Sequence, residues 1–124
     1  MSALLEVEGL TVSYTVDGRS RTAVDGVGFT VDRGEIVAIV GESGSGKSTT
    51  AHAVLHLLAG NATVDAGTFR FDGEDLSALS PRAWRDVRGR RIGLIPQDPA
   101  TSLDPVQRIG RQVGEPLVIR LCAF

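Results

Sequence analysis

This 124-residue chain has few of the features that mark membrane proteins or disulfide-stabilised secreted proteins. Its one cysteine, Cys122, cannot form an internal disulfide and fits a reducing compartment. The longest uninterrupted apolar run is residues 36–40, far short of the roughly 20 residues of a membrane-spanning helix. The N-terminus lacks the basic segment and apolar block of a signal peptide. A net charge of −2 argues against nucleic acid as a general partner, and the composition predicts a soluble globular domain with one modest core.

Lysine is also scarce, because Lys47 is the single lysine beside 12 arginines. Lys47 stands in the octapeptide G-E-S-G-S-G-K-S, residues 41–48, which matches the phosphate-binding pattern G-x-x-x-x-G-K-[ST]. GTPases share this pattern, but they need a second lysine in their guanine-reading N-K-x-D motif, so that class is excluded. A small P-loop kinase would need a lid with catalytic arginines and is a distant alternative.

The residue types of this octapeptide suit phosphate chemistry. Glycines let the backbone turn tightly and aim its N–H groups at phosphate oxygens, and a following helix adds the positive end of its dipole. Lys47 supplies an ammonium for the outer phosphates, and the hydroxyl of Ser48 can ligate Mg²⁺. The predicted nucleotide-binding residues of the loop are Gly41, Ser43, Gly44, Ser45, Gly46, Lys47 and Ser48. The alternative is a turn rich in glycine and serine that binds nothing.

The segments on either side of the loop match a strand–loop–helix unit. Residues 36–40, with the sequence I-V-A-I-V, predict a buried strand before it. Residues 49–58 predict a helix after it, with apolar residues near its end. Gly60-Asn61 is then expected to end that helix as a glycine cap.

The N-terminal region has the alternating pattern of half-buried β-strands. Strands are predicted over residues 10–16 and 27–31, with a turn at Asp17-Gly18 after the first. A third short strand is predicted over residues 68–71 and is closed by Asp72-Gly73. These strands indicate an antiparallel β flank beside the phosphate loop.

The rest of the chain predicts a mixture of helix and strand. Ser80-Pro81 begins a helix to about Val87, because serine caps a helix and proline suits its first position. Residues 92–95 predict a short strand, and a last helical segment begins near Val106. The fold class is therefore predicted as α/β, with a P-loop nucleotide-binding core and an antiparallel β flank.

Several segments resemble one protein family. L-T-V-S-Y at residues 10–14, A-V-D-G-V-G-F at residues 23–29 and Gly34-Glu35 resemble the opening of an ABC-transporter ATPase subunit. Q-D-P-A-T-S-L-D-P at residues 97–105 resembles the Q-loop segment of the ATPases that drive dipeptide, oligopeptide and nickel importers. The resemblance extends from about residue 4 to residue 119 and implies an ATP-binding subunit of that type.

The resemblance implies further site residues. Tyr14 is similar to the aromatic residue that stacks on adenine, although the alternating strand also suits a core tyrosine. Val24 is placed to pack against the same base or to be an ordinary core valine. Thr49 is placed to contact the innermost phosphate. Gln97 is similar to the glutamine that contacts Mg²⁺ and the γ-phosphate, which makes Ser48 and Gln97 the metal-binding residues; outside the nine-residue run it would read as an ordinary loop glutamine.

The same resemblance implies cofactors, partners and a location. The cofactors are ATP and Mg²⁺, and the partners are transmembrane permease subunits and a second ATPase subunit. No nucleic acid is involved. The expected activity is coupling of ATP binding and hydrolysis to uptake of peptides or a related solute. The expected location is the cytoplasmic face of the cell membrane, reached through the partners.

The 124 residues lack two motifs of the family pattern. Within them, no segment matches the L-S-G-G-Q signature or an apolar strand followed by Asp-Glu. We therefore expect residues 1–119 to be the N-terminal part of an ABC ATPase nucleotide-binding domain and residues 120–124 to be an atypical, truncated end. No residue of the chain is assigned a catalytic role, and the isolated chain is expected to hydrolyse no ATP. The alternative is a non-hydrolysing module that binds nucleotide or another protein.

Three other clusters carry weaker hypotheses. His52 and His56 share a helix face, but no third zinc ligand is evident, so structural or solvated histidines are favoured. An acidic cluster at Asp72, Glu74 and Asp75 is too short for a calcium loop. Five arginines surround Trp84 in residues 82–91 and could contact phospholipid heads or RNA, although a solvated helix face is favoured.

Overall fold

The computed structural model describes the backbone of residues 3–121 and the side chains of residues 3–98 and 100–118. Cys122 and the last residues of the expected atypical end therefore lie outside the described residues. The chain divides into two compact units, the first ending at Leu79 and the second beginning at Ser80. In chain order the elements are β1 (Leu5–Val16), β2 (Arg19–Val31), α1 (Lys47–Val54), β3 (Ala62–Asp65), β4 (Thr68–Phe71), β5 (Glu74–Asp75), α2 (Pro81–Val87), α3 (Pro99–Ser102) and α4 (Ile109–Leu121).

The first unit is built on an antiparallel sheet whose central strand is β1. Strand β2 pairs along one edge of β1, while β4 and β3 pair with successive halves of the other edge. The turn at Asp17-Gly18 joins β1 to β2, and both residues have positive φ (51° and 72°), the geometry of a type I′ hairpin. The turn prediction is confirmed, and β2 begins eight residues earlier than the predicted strand at residue 27.

One face of the sheet packs against α1 to form the core of the first unit. Val7, Leu10 and Val12 of β1 and Val24 of β2 are buried with Ala53 of α1. Leu10 and Val12 follow the period of two in a β-strand, whereas the three-residue step from Val7 to Leu10 coincides with an irregularity in the pairing of β1 with β2. The β flank predicted from the sequence is therefore present, and it carries the helix that follows the phosphate loop.

Helix α1 ends four residues earlier than predicted. The N–H of His56 donates to the carbonyl of Ala53, and the N–H of Leu57 donates to the carbonyl of His52. These two bonds form a Schellman motif, in which His56 has a left-handed φ of 53°. Gly60-Asn61 is not the helix cap. Asn61 instead hydrogen-bonds to the backbone of Thr15 through both its carbonyl and its side chain.

Two strand predictions are wrong: residues 36–40, predicted as a buried strand, and residues 92–95, predicted as a short strand, form no strand in this structure. Ile36 and Val40 are 96% and 88% exposed, and Ile95 is 95% exposed. Residue 92 makes one isolated parallel bridge to Arg88, and within residues 3–121 no strand pairs with either segment. An apolar run becomes a strand only when a neighbour accepts its backbone hydrogen bonds, so the pattern alone could not decide the outcome.

The second unit consists of three helices and their connections. The Ser80 hydroxyl accepts the N–H of Ala83 at the start of α2, as the capping prediction required, and α2 ends at Val87 as predicted. The short helix α3 is capped by Asp98, whose carboxylate accepts the N–H of Ala100. Helix α4 begins three residues after the predicted Val106. Within the described part of the chain, no helix is long and apolar enough to cross a membrane.

Candidate functional site

The phosphate loop predicted from the sequence connects residues 35–40, which belong to no helix or strand, to the first turn of α1. Gly44 and Gly46 have positive φ values of 80° and 94°, a conformation that residues with a side chain rarely adopt. The N–H of Ser45 donates to the carbonyl of Glu42 across the turn. Residues 41–45 are exposed, so the concave backbone of the loop is open to a ligand.

The ammonium of Lys47 lies inside this loop. Its Nζ donates to the carbonyl oxygens of Gly41 at 2.7 Å and Glu42 at 2.5 Å, and to the hydroxyl of Ser45 at 3.2 Å. An ammonium has three donor hydrogens, so these contacts use all of them. A phosphate oxygen must therefore replace at least one loop oxygen in order to bind Lys47 directly. The loop thus holds a positive charge in place by neutral groups that can be exchanged for an anion.

The first turn of α1 adds further donors beside this ammonium. The helix begins at Lys47 and its first backbone bond runs from the N–H of Thr50 to the carbonyl of Gly46. The N–H groups of Lys47, Ser48 and Thr49 are those that an α-helix leaves without an acceptor within the helix. The side chain of Ser48 is exposed. The backbone carbonyl of Ser48 accepts a hydrogen bond from Nδ1 of His52 at 2.6 Å. Together these donors and the ammonium concentrate positive charge at one end of α1, an arrangement that suits an anion.

The loop is seated on strand β2, which the sequence did not predict. A Cβ at Gly46 would lie 2.8 Å from the carbonyl oxygen of Ala23 and 3.3 Å from Cγ2 of Val24. The hydroxyl of Thr50, which is buried, donates to the carbonyl of Gly46 at 2.8 Å. Ala23 and Thr50 are therefore supporting residues that sequence reasoning missed. The Gly46–Thr50 bond follows from helical spacing, whereas the Gly46–Ala23 contact joins residues distant in sequence.

A cavity of about 360 Å³ lies beside the loop. Val27 and Phe29 of β2 line it together with Val37 and Ile39 of the segment before the loop, and Lys47 is also part of its lining. The segment predicted as a buried strand therefore lines an apolar cavity. Val37 and Ile39 remain 41% and 47% exposed there, and Ile36 is not among the lining residues, so the cavity covers only part of this apolar run.

The two residues that the resemblance placed beside the adenine base, Val24 and Tyr14, differ in burial. Val24 is 5% exposed within the core cluster, which fits the ordinary core valine that was the alternative to a base contact. Tyr14 is half-buried and packs against the same cluster from β1, where it lies opposite Arg21 of β2 and Ala62 of β3. Its side chain therefore packs against the core and keeps part of its surface accessible.

Gln97 lies in the second unit, in an exposed bend directly before α3. The rest of the nine-residue run is held by local hydrogen bonds. Asp104 is fixed at both backbone groups by the carboxamide of Gln112, at 2.7 Å and 2.9 Å. The loop residues 41–49 and Tyr14 thus belong to the first unit, and Gln97 belongs to the second.

The acidic and histidine clusters hold no metal-site geometry. Arg33 forms an ion pair with Asp72, and Asp75 accepts both the hydroxyl and the N–H of Ser77. These bonds from Ser77, the hydroxyl first, hold the pKa of Asp75 below its usual value. His56 lies beyond the end of α1. Among residues 3–121, no group of three histidine, cysteine or acidic side chains could hold a metal ion.

Comparison with known proteins identifies the family that shares this loop. The family model described as ABC transporter matches residues 24–115 of the chain, which is more than half of its length. The match includes the phosphate loop, α2 and the nine-residue run that contains Gln97. The α/β class with a P-loop NTPase domain and an antiparallel sheet is thereby confirmed.

Curated relatives resemble almost the whole chain. The dipeptide transport ATP-binding protein of Lactococcus lactis is 44% identical over 115 residues, which cover 93% of this chain and 33% of the relative. The oligopeptide transport ATP-binding protein of Bacillus subtilis is 44% identical over 118 residues, covering 94% of this chain and 33% of the relative. The peptidoglycan transport ATP-binding protein of Agrobacterium fabrum is 49% identical over 113 residues, covering 90% and 21%. The chain therefore spans a third or less of the length of these relatives.

Proposed function

The chain belongs to the ABC transporter family, and we propose that it provides the nucleotide-binding part of an ATP-binding subunit in a peptide importer. The observation that carries this proposal is the ammonium of Lys47, held inside the 41–46 loop at the start of α1 by three exchangeable oxygens. A positive charge and a row of helix N–H groups that converge on one concave loop match the needs of a polyphosphate.

The donor set of the loop fits MgATP. Backbone N–H groups from residues 43–47 would bind the β- and γ-phosphates, and Lys47 would contact the same oxygens. The exposed hydroxyl of Ser48 would ligate Mg²⁺, and Thr49 at the next position would contact the innermost phosphate. The metal would neutralise charge on the phosphates when bound. The neutral oxygens now on Lys47 make this exchange feasible, because its ion-pairing with a carboxylate is not seen among the described side chains.

Tyr14 is the proposed contact for the adenine base. The ring is anchored in β1 by its packing on the core cluster, and it keeps an accessible part. A rigid aromatic ring can stack on a base at low entropic cost, since its rotamer is already fixed by packing. We propose Gln97 as the second metal-contacting residue, because its carboxamide offers an oxygen to Mg²⁺ and a nitrogen to water.

The proposed partners and substrate come from the relatives. Their names describe ATP-binding proteins of dipeptide, oligopeptide and peptidoglycan transport. By analogy, this chain would act with transmembrane permease subunits and a second ATPase subunit to drive uptake of peptides or peptide-containing solutes. Its location would be the cytoplasmic face of the membrane, through these partners.

Nucleotide binding is tested by measuring the melting temperature of the chain at increasing concentrations of MgATP. Ligand at about 100 times Kd stabilises a folded protein by about 2.7 kcal/mol, which raises the melting temperature on the order of 10 °C for a domain of this size. MgAMP is the matched control, because it lacks the outer phosphates that Lys47 and the loop would bind. An equal rise with both nucleotides, or none with saturating MgATP, would contradict the proposed site.

The role of Gln97 can be tested in a complete subunit, in which residues 1–119 are joined to the remaining sequence of the Bacillus subtilis relative and assembled with its permease. Replacement of Gln97 with alanine should leave MgATP affinity nearly unchanged, because the 41–49 loop makes most phosphate contacts. Hydrolysis stimulated by the permease should fall about 5- to 150-fold, as expected for loss of a coupling free energy of 1–3 kcal/mol. Basal hydrolysis should fall much less.

The matched control for this measurement is Gln107→Ala, which removes a carboxamide that binds Asp104 in the same unit. Equal losses of basal and stimulated hydrolysis in Gln97→Ala would restrict Gln97 to the metal site. No loss in either rate would return it to an ordinary loop glutamine.

A further inference from the structure

Positive charge is concentrated in one short segment of the second unit. Residues 82–91 contain five arginines and one aspartate, a net charge of +4 in a chain whose total is −2. We call the exposed arginines Arg82 and Arg85 the basic face; Arg88, Arg90 and Arg91 follow closely in the chain and add to the positive charge around it. The proposed nucleotide site uses none of them.

Helix α2 separates this charge from its apolar side. Trp84 and Val87, three residues apart, are each 3% exposed and form the buried side of the helix. Arg82 and Arg85 are also three residues apart and are both exposed. With 3.6 residues per turn, these two arginines project away from the buried side, and the guanidinium groups share one surface.

The turn after α2 orders two more guanidinium groups. The guanidinium of Arg88 lies over the ring of Trp84, 5.5 Å from its centroid. Nη1 of Arg90 donates to the carboxylate of Asp86 at 3.2 Å. The single acidic side chain of the segment is thus engaged by Arg90 and leaves the charge of Arg82 and Arg85 without a carboxylate from this segment.

We propose that the basic face binds the phosphate groups of anionic lipids at a membrane surface. Guanidinium groups bind phosphate oxygens through paired N–H donors, and clusters of four to eight basic residues are attracted to negatively charged leaflets. Single-stranded RNA is the competing ligand, but its recognition uses exposed aromatic rings as stacking platforms. Trp84, the one aromatic residue among residues 80–121, is buried and covered by Arg88.

This surface is independent of the proposed nucleotide site. Binding to lipid needs neither the 41–49 loop nor a permease, so failure of one proposal leaves the other unchanged. Each arginine near an anionic surface strengthens binding about fivefold, and removal of two should therefore weaken it about 25-fold. The attraction should also decrease with added salt, because the Debye length shortens.

Vesicle flotation of the full 124-residue chain tests the proposal. We expect the chain to float with vesicles of phosphatidylcholine and phosphatidylglycerol, mixed about three to one, and not with phosphatidylcholine alone. The double variant Arg82→Gln/Arg85→Gln should bind the anionic vesicles about 25-fold more weakly. The matched control is Arg19→Gln/Arg21→Gln, which removes the same charge from exposed positions on β2 and should bind as the wild type does.

Three results would overturn the proposal. Absence of flotation with anionic vesicles would show that the basic face does not bind lipid. Equal weakening by both double variants would show that net charge, and not this surface, governs association. Displacement of the chain from vesicles by a short oligouridylate at a phosphate concentration well below that of the lipid would assign the face to RNA. Without nucleotide, both double variants should have the same melting temperature as the wild type, which would establish that folding is unaffected.

Discussion

Replacement of Lys47 with alanine is expected to weaken MgATP binding by at least about 100-fold, because hydrogen bonds to a charged group contribute about 1.5–3 kcal/mol each. The ammonium lies within hydrogen-bonding distance of the carbonyls of Gly41 and Glu42, at the centre of the loop. No other lysine exists in the chain, so no neighbouring ammonium can substitute. Isothermal titration with MgATP, run on wild type and Lys47→Ala, measures the loss.

Two further variants separate charge from geometry in this experiment. Lys47→Arg keeps the charge but replaces a compact ammonium with a planar, forked guanidinium, which does not match three converging loop oxygens. It should restore little of the affinity. Arg19→Ala removes one positive charge at the exposed end of β2 and should bind MgATP as the wild type does. Unchanged affinity in Lys47→Ala would refute the assignment of this loop to phosphate.

The melting temperature without nucleotide distinguishes a lost ligand contact from a collapsed loop. Lys47→Ala removes three hydrogen bonds to loop oxygens that solvent reaches. Water can hydrogen-bond to these oxygens in the variant, so the loss to folding is smaller than the loss of the ammonium's bonds to a charged phosphate. The melting temperature should therefore change by only a few degrees. A large decrease would show that Lys47 holds the loop together, and binding data from that variant would then report unfolding.

Features that depend on neighbouring residues could be predicted from the sequence. Asp17-Gly18 supplies the positive φ values of a two-residue hairpin, and Ser80-Pro81 supplies a capping hydroxyl and a preset first residue. The phosphate loop belongs to the same class, since its three glycines and Lys47 lie within seven consecutive residues. Each of these signals is local, so no distant segment could override it.

Features that depend on pairing across the chain were predicted poorly. Residues 36–40 have the composition of a buried strand, but a strand requires a partner that supplies backbone hydrogen bonds, and residues 3–121 supply none. The early end of α1 is a local feature that was also missed, because His56 takes a left-handed conformation that the presence of a histidine does not by itself predict. The support of the loop by Ala23 joins residues 23 positions apart.

That support leads to the second large effect, which is expected for Gly46→Ala. Gly46 has φ 94° and ψ 8°, a left-handed conformation that costs a residue with a Cβ about 1–2 kcal/mol. The added Cβ would also lie 2.8 Å from the carbonyl oxygen of Ala23, where real Cβ atoms essentially never lie. The clashing oxygen belongs to the main chain of β2, so rotation of a side chain cannot relieve the clash. Overpacking of this kind costs about 1–3 kcal/mol.

Gly44→Ala is the matched control for this variant. Gly44 has a similar positive φ of 80°, but a Cβ added there would meet no atom within 4 Å. Gly44→Ala should therefore show the conformational cost alone, and Gly46→Ala should be less stable than it by a further 1–3 kcal/mol or so, measured as the free energy of unfolding in urea. MgATP affinity should fall more in Gly46→Ala as well, because displacement from β2 moves the N–H groups of Lys47 and Ser48 away from the phosphates. Equal destabilisation by the two variants would show that the loop does not pack closely against Ala23 at Gly46. Other residues of the first unit would then have to support the loop.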